Sequence, residues 1–167
     1  MSWYLDAALA GAAFGLASGA LIPELIRPLP GAKEALGRFK TDGGRTVIVT
    51  SAKERDLEAL LGALDASELI DDLLHGEEVE QAKPSPDLFH EALRRTGASP
   101  DDTVAIGDSV WDVKAALRAG VRCIGVETGG NLRPQLEEAG AVAVYRDCEE
   151  LIDRWDSSPL GELARIG

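Results

Sequence analysis

The chain has 167 residues, of which 45% are hydrophobic and 28% charged, enough for one domain with a sizeable core and inconsistent with global disorder. Its net charge is −12, with 29 acidic residues against 17 Lys+Arg, and no basic cluster is present to neutralise phosphates, which argues against nucleic acid or an anionic membrane as partner. The two cysteines, Cys123 and Cys148, fall in no CxxC or metal-ligand spacing, so a reduced, cytoplasmic protein is expected.

Residues 1–20 are rich in Ala and Gly and allow only a loosely specified helix, weakened by Gly11, Gly15 and Gly19. The apolar run Ala7 to Ala20 follows Asp6 rather than a basic region and is too short to span a bilayer, so no signal peptide or membrane span is expected. Ile22 to Pro30 contains three prolines and reads as an irregular connection. From Gly31 the pattern sharpens. Ala32, Ala35, Leu36 and Phe39 mark one helical face, closed by Thr41-Asp42-Gly43-Gly44. Thr46–Val49 is a buried strand ending at Thr50-Ser51, and Leu57, Leu60, Leu61 and Leu64 then follow at helical spacing.

Residues 67–80 are ambiguous, with a helical turn over Ser67–Asp71 and a short strand at Asp72–Leu74. Gln81–Pro86 is a loop carrying Lys83, and Asp87 starts a helix with Phe89, Ala92 and Leu93 inward. Thr103–Ile106 is a strand that turns at Gly107 into Asp108. Ser109 caps a helix whose inner face is Val113, Ala116 and Leu117. Strand Cys123–Val126, loop Thr128-Gly129-Gly130, helix Arg133–Ala139, strand Ala141–Tyr145 and helix Glu149–Trp155 complete the order. The tail after Ser157 carries no functional signal. Strands alternating with helices at this spacing predict one α/β domain over residues 1–167, a parallel sheet with helices on both faces.

Three strand-end sites stand out. Thr50-Ser51 can offer hydroxyls and backbone N–H groups to a phosphate, or simply cap the helix over 53–64. Lys83, fixed by Pro84, suits a point charge for a phosphoryl oxygen, or is a solvated loop lysine. Asp108 and Asp112 lie one helical turn apart beside a helix N-terminus. They are either capping acids favoured by the helix dipole or a pair that needs a cation such as Mg²⁺.

The stretches VIVTSAKERDLEALL, AKPSPDLF and IGDSVWDVKAALRAGV resemble motifs II, III and IV of the haloacid dehalogenase (HAD) superfamily. PLPGAKEAL resembles the segment that leads back from the cap into the core in phosphoglycolate-phosphatase-like and phosphomutase-like members, and the likeness covers about residues 28–155. It implies a Rossmann-like HAD core and Mg²⁺-dependent hydrolysis of a small phosphorylated metabolite. By the same resemblance Thr50, with Ser51 beside it, binds the substrate phosphate. Lys83 bridges phosphate and nucleophile, Asp108 ligates Mg²⁺, and Asp112 supports the metal site. Trp111 falls at a variable motif position and reads as a locally packed helix residue.

The family's first motif, DxDx[TV], supplies a nucleophile and a general acid/base, yet no DxD precedes Thr50. The nearest stand-in is Asp6, followed at +2 by Ala8. The N-terminal strand and cap are therefore expected to be missing or degenerate, with residues 1–27 as their remnant, and hydrolysis to be impaired. The alternative is a non-catalytic phosphate- or protein-binding module. A receiver-like domain fits less well, because the GDxxxD follows the lysine and no acidic pair opens the chain. In the family architecture the motif I strand lies between the strands that end at Thr50 and Gly107. Ser2–Leu5 as a replacement strand, direct pairing of the two flanking strands, or a second chain could fill that place. The first is favoured by Trp3-Tyr4-Leu5, and it would bring Asp6 near the nucleophile position.

Overall fold

The computed structural model describes residues 3–7, 30–81 and 83–166. Its centre is a six-stranded, all-parallel sheet in the order β3-β2-β1-β4-β5-β6. The strands are β1 (Trp3–Ala7), β2 (Gly44–Val49), β3 (Asp72–Leu74), β4 (Thr103–Gly107), β5 (Arg122–Val126) and β6 (Ala143–Tyr145). Between them run α1 (Ala32–Thr41), α2 (Glu54–Leu64), α3 (Asp87–Thr96), α4 (Val110–Arg118) and α5 (Arg133–Ala139), with α6 (Cys148–Asp153) and α7 (Pro159–Ile166) after β6.

The strands alternate between two apolar layers, as their period of two requires. Ile48, Val104, Ile106, Ile124 and Val126 face a core built with Ala32, Leu36 and Phe39 of α1, Leu151 of α6, and Leu160 and Leu163 of α7. Ala105 and Cys123 face the opposite layer with Phe89, Val113, Ala116 and Leu136, while Val47, Val49 and Leu74 meet Leu88 and Ala92 of α3. Cys123 and Cys148 are both buried and are not joined in a disulfide. No helix among the described residues is long and apolar enough to cross a membrane.

The central place is filled by Trp3–Ala7, which pairs with β2 on one side and β4 on the other. The favoured replacement strand therefore forms, starting one residue later and running two residues further than Ser2–Leu5. The expected helix over the Ala/Gly-rich start, beyond Ala7, and the irregular connection, up to Pro30, lie outside the described residues.

One expectation is corrected. Leu117 does not point into the core from α4. It is 39% exposed and lies over Gly140, where an added Cβ would come within 2.5 Å of its Cδ1, while Ala115 takes the inner place. The tail after Ser157, which carries no functional signal in the sequence, forms α7, which buries Leu160 and Leu163 completely or nearly so and packs against β1 and β4. It is anchored at the preceding turn by Trp155, whose Nε1 donates to Asp42 Oδ2 at 3.0 Å and whose ring meets Phe39 edge-on.

Candidate phosphate and cation site

The order β3-β2-β1-β4-β5-β6 reverses direction beside β1, and open parallel sheets bind ligands at that switch point, outside the carboxyl ends of the strands. Among the described residues, three buried side-chain polar atoms have no hydrogen-bond partner: His75 Nδ1, Asp108 Oδ2 and Thr128 Oγ1. Each belongs to the segment just past the carboxyl end of a strand, β3, β4 and β5 in turn. Orphaned buried polar atoms are costly, and their gathering on one edge marks where a polar ligand belongs.

Lys83 is the hub. Its ammonium donates to the Val49 carbonyl at the end of β2 (2.9 Å) and to Asp112 Oδ1 on the first turn of α4 (2.8 Å). It thus ties the end of β2 to the first turn of α4. Both charged side chains are nearly sealed from solvent, at 5% and 4% exposure. The ammonium also sits 5.7 Å from the centre of the Phe89 ring. The solvated-loop reading of this lysine is thereby excluded.

Asp112 is fully engaged. Besides Lys83 on Oδ1, its Oδ2 accepts from the Ser109 amide (3.1 Å) and hydroxyl (2.6 Å), while Ser109 Oγ caps the helix by accepting from the Asp112 amide at 3.2 Å. Gly107 makes this possible, since a Cβ there would stand 2.4 Å from Asp112 Cβ. Asp112 is placed to hold Lys83, with no carboxylate oxygen left without a protein partner.

Asp108 differs. It is 3% exposed, its Oδ2 is unpartnered, and its pKa is pushed up to about 7 by burial and by the neighbouring charge of Asp112, against which Lys83 works. A carboxylate held in this way is short of positive charge, so one buried oxygen fits a divalent cation. No group of three or more His, Cys, Asp and Glu that could cage a metal gathers among the described residues.

Because the folded-state pKa lies above the ordinary 3.8, the native state binds more protons than the unfolded chain between pH about 4 and 7. Stability from this group is therefore full below pH 4 and lost as pH rises through 7. Urea unfolding of the cation-free chain should give a lower midpoint at pH 8 than at pH 5.5, by on the order of a few kcal/mol. Asp108→Asn should abolish that difference; a variant that keeps it would assign the effect to another group.

Thr50 is buried at the end of β2, its amide donating to Leu74 O at 2.9 Å and its Oγ1 accepting from the Ala52 amide at 3.1 Å. Ser51 is exposed. The helix expected over 53–64 forms at Glu54–Leu64, but its N-cap is Lys53 rather than Thr50-Ser51, and its Glu54 amide donates to Glu77 Oε2. Any phosphate here meets the Thr50-Ser51 turn rather than an open helix end. Trp111 is 54% exposed with the Lys114 ammonium over its ring. Asp6 sits within β1 in register with Val47 and Ala105. Its place on the strand is three residues short of the level of Thr50 and Asp108, about 10 Å at 3.3 Å per residue.

The site thus joins a parallel α/β sheet, a lysine held between the end of β2 and the first turn of α4, and an unpartnered aspartate oxygen just past β4. The haloacid dehalogenase-like hydrolase family matches residues 17–126, and the chain belongs to that family. It is 34% identical over 131 residues to a phosphorylated carbohydrates phosphatase of Thermotoga maritima, covering 78% of this chain and 60% of that protein. It is 32% identical over 121 residues to phosphoglycolate phosphatase 1 of Pseudomonas aeruginosa, covering 72% and 44%. Its fold superposes on a hydrolase from Pseudomonas syringae with a TM-score of 0.75 at 33% identity, covering 81% of this chain and 62% of that one. These relatives place it on the phosphoglycolate-phosphatase-like branch. The chain spans between 44% and 60% of the length of these two curated relatives. The family match begins at residue 17, so β1 lies outside it.

The sequence motifs did not point to the Val49 carbonyl, to His75, or to the turn at 127–131 that borders Asp108. Backbone acceptors leave no residue signature, and the Gly129-Gly130 pair reads from sequence only as a loop.

Proposed function

We propose that this chain is a phosphate-monoester-binding domain of phosphatase lineage, with turnover near zero as it stands. The observation that carries the reading is Lys83, buried and clamped between the end of β2 and α4 beside the unpartnered Asp108. Two of its three N–H donors are used by Val49 and Asp112, and the third is free to meet a phosphoryl oxygen. The Thr50 hydroxyl accepts from Ala52 and keeps its own proton to donate to the same group. Ser51, exposed beside it, is the outer contact. Asp112 fixes Lys83 in position.

Asp108 would hold a Mg²⁺ ion, which when bound neutralises phosphoryl charge. The relatives' names speak of phosphorylated carbohydrates and phosphoglycolate, and a small phosphorylated metabolite is accordingly the proposed ligand. The balance of −12 disfavours nucleic acid. Hydrolysis would need a nucleophile in line with phosphorus and an acid for the leaving oxygen. Asp6 is held short of the strand ends by its register, and Ala8 has no proton to give. The second reading, a non-catalytic phosphate-binding module, is favoured by that same register.

With Asp112 committed to Lys83 and Ser109, Asp108 is the carboxylate that the described residues of the site leave for the cation, and Mg²⁺ wants near-octahedral oxygen coordination. Calorimetry should therefore find Mg²⁺ binding in the millimolar range or weaker by order of magnitude; micromolar affinity would contradict this. Inorganic phosphate added with Mg²⁺ should shift the amide signals of Thr50 and Ser51 in NMR spectra, and Lys83→Met should remove the effect. Shifts confined to other parts of the chain, or unchanged in Lys83→Met, would overturn the assignment of the pocket.

A further inference from the structure

The turn after β5 has no role in the motifs, yet it touches the site twice. At Gly129 an added Cβ would stand 2.4 Å from the backbone carbonyl oxygen of Asp108, 2.5 Å from its Cγ and 2.6 Å from Oδ2. The backbone of residue 129 is therefore the wall against which the carboxylate lies. Because one of the contacts is to main chain, the neighbour cannot yield by turning a flexible tip. Two residues on, Asn131 Oδ1 accepts from the Val110 amide at 3.1 Å, satisfying the first N–H of α4. Glu127 Oε1 accepts from the Arg133 amide at 2.8 Å and ties the turn to α5. Two of the three orphaned polar atoms, Asp108 Oδ2 and Thr128 Oγ1, belong to this contact and to this turn.

We propose that Gly129 and Asn131 are positioning residues of the site. Gly129 sets the direction of the Asp108 carboxylate, and Asn131 fixes the first turn of α4, from which Asp112, itself held by Ser109, holds Lys83. The proposal rests on the reading of Asp108 as the cation's carboxylate. It extends that reading to a strand outside the three motifs. The turn acts on the reacting region only through Asp108 and α4.

The neighbouring glycine supplies the control. Gly130 has φ +82°, so a side chain there strains the backbone, but nothing lies within 4 Å of an added Cβ. Gly129→Ala intrudes on Asp108, whereas Gly130→Ala disturbs the same turn without touching it. In the cation-free chain, Gly129→Ala should displace the ¹³C signal of the Asp108 carboxyl group, and Gly130→Ala should leave it in place. With Mn²⁺ as probe, the concentration that half-broadens the Asp108 and Ser109 amide signals should rise about tenfold or more in Gly129→Ala. It should stay near the wild-type value in Gly130→Ala. For Asn131, replacement by Ala should speed hydrogen exchange at the Val110 amide roughly tenfold, and Asn131→Asp, which keeps an acceptor oxygen, should restore protection.

Equal effects of the two glycine variants on the carboxyl signal, or failure of Asn131→Asp to restore protection where Ala removes it, would overturn the proposal. If Gly129→Ala does not fold, the Asn131 pair decides. Absence of Mn²⁺ broadening in the wild type would overturn the cation reading of Asp108, while the carboxyl signal and the exchange rates still decide for or against the turn.

Discussion

Replacing Lys83 by Met should lower the stability of the chain by about 3–5 kcal/mol, the range for leaving one member of a buried ion pair without its partner. The geometry explains why the effect is large. The ammonium and the Asp112 carboxylate are 2.8 Å apart and almost without solvent, so neither can recover its hydration if the other is removed. Asp108 adds a second carboxyl group to the same low-dielectric region, already pushed toward its neutral form by burial and by Asp112. Methionine keeps the stem and its contact with Phe89 but removes the charge and two hydrogen bonds. Urea unfolding of Lys83→Met, Asp112→Asn and the double variant separates pair from parts. The account expects the double variant to be less damaged than the sum of the single ones, because the lone charge is then gone. Strict additivity would mean that the two groups do not act as a pair.

Leu160→Ala should cost about 2–5 kcal/mol, although it lies in the last helix and far along the chain from every motif. Leu160 is fully buried in the layer that contains Phe39, Ile48, Val104, Leu151 and Trp155, and α7 covers β1 and β4. Losing it opens a cavity against the two central strands, whose carboxyl ends carry the site. The close approach of Gly161 to the Trp155 carbonyl, where a Cβ would come within 2.0 Å, holds the helix against the preceding turn and leaves little room for collapse into the void. Leu132→Ala, at 63% exposure, is the matched control and should stay within about 0.5 kcal/mol of wild type. Equal midpoints for the two variants would show that α7 is not part of the cooperative core.

Much of this architecture was legible because its signals are local. Ser109, Asp112 and Gly107 announce a strand, a turn and a capped helix within six residues, and the structure forms all three. Leu36 and Phe39, or Phe89 and Ala92, show their buried faces by spacing alone. The helix after Thr50 is legible, but its start is not capped by Thr50-Ser51, because four residues separate it from the strand and a glutamate from another segment takes its first N–H. Leu117 deceived for a tertiary reason. Its position on α4 is apolar in pattern, but the surface it meets is the end of α5 rather than the sheet. The register of β1 could not be read at all. Trp3-Tyr4-Leu5 has strand-like side chains, yet which residue reaches the strand ends depends on pairing with β2 and β4, partners about forty and a hundred residues away. That register puts Asp6 at the penultimate position of β1, level with Val47 and Ala105.

The central claim, a phosphate pocket kept without the means of hydrolysis, is tested most directly by turnover of a generic aryl phosphate at saturating Mg²⁺. Wild type, Asp6→Asn and Lys83→Met should be assayed side by side. General acid–base assistance is typically worth about 10²–10⁴-fold, and on the proposed reading, in which neither that group nor a nucleophile stands at the strand ends among the described residues, all three should release phosphate at the background rate. Robust hydrolysis by the wild type that disappears in Asp6→Asn would contradict it and make Asp6 the nucleophile; robust hydrolysis indifferent to that substitution would contradict it equally and place the nucleophile elsewhere in the chain.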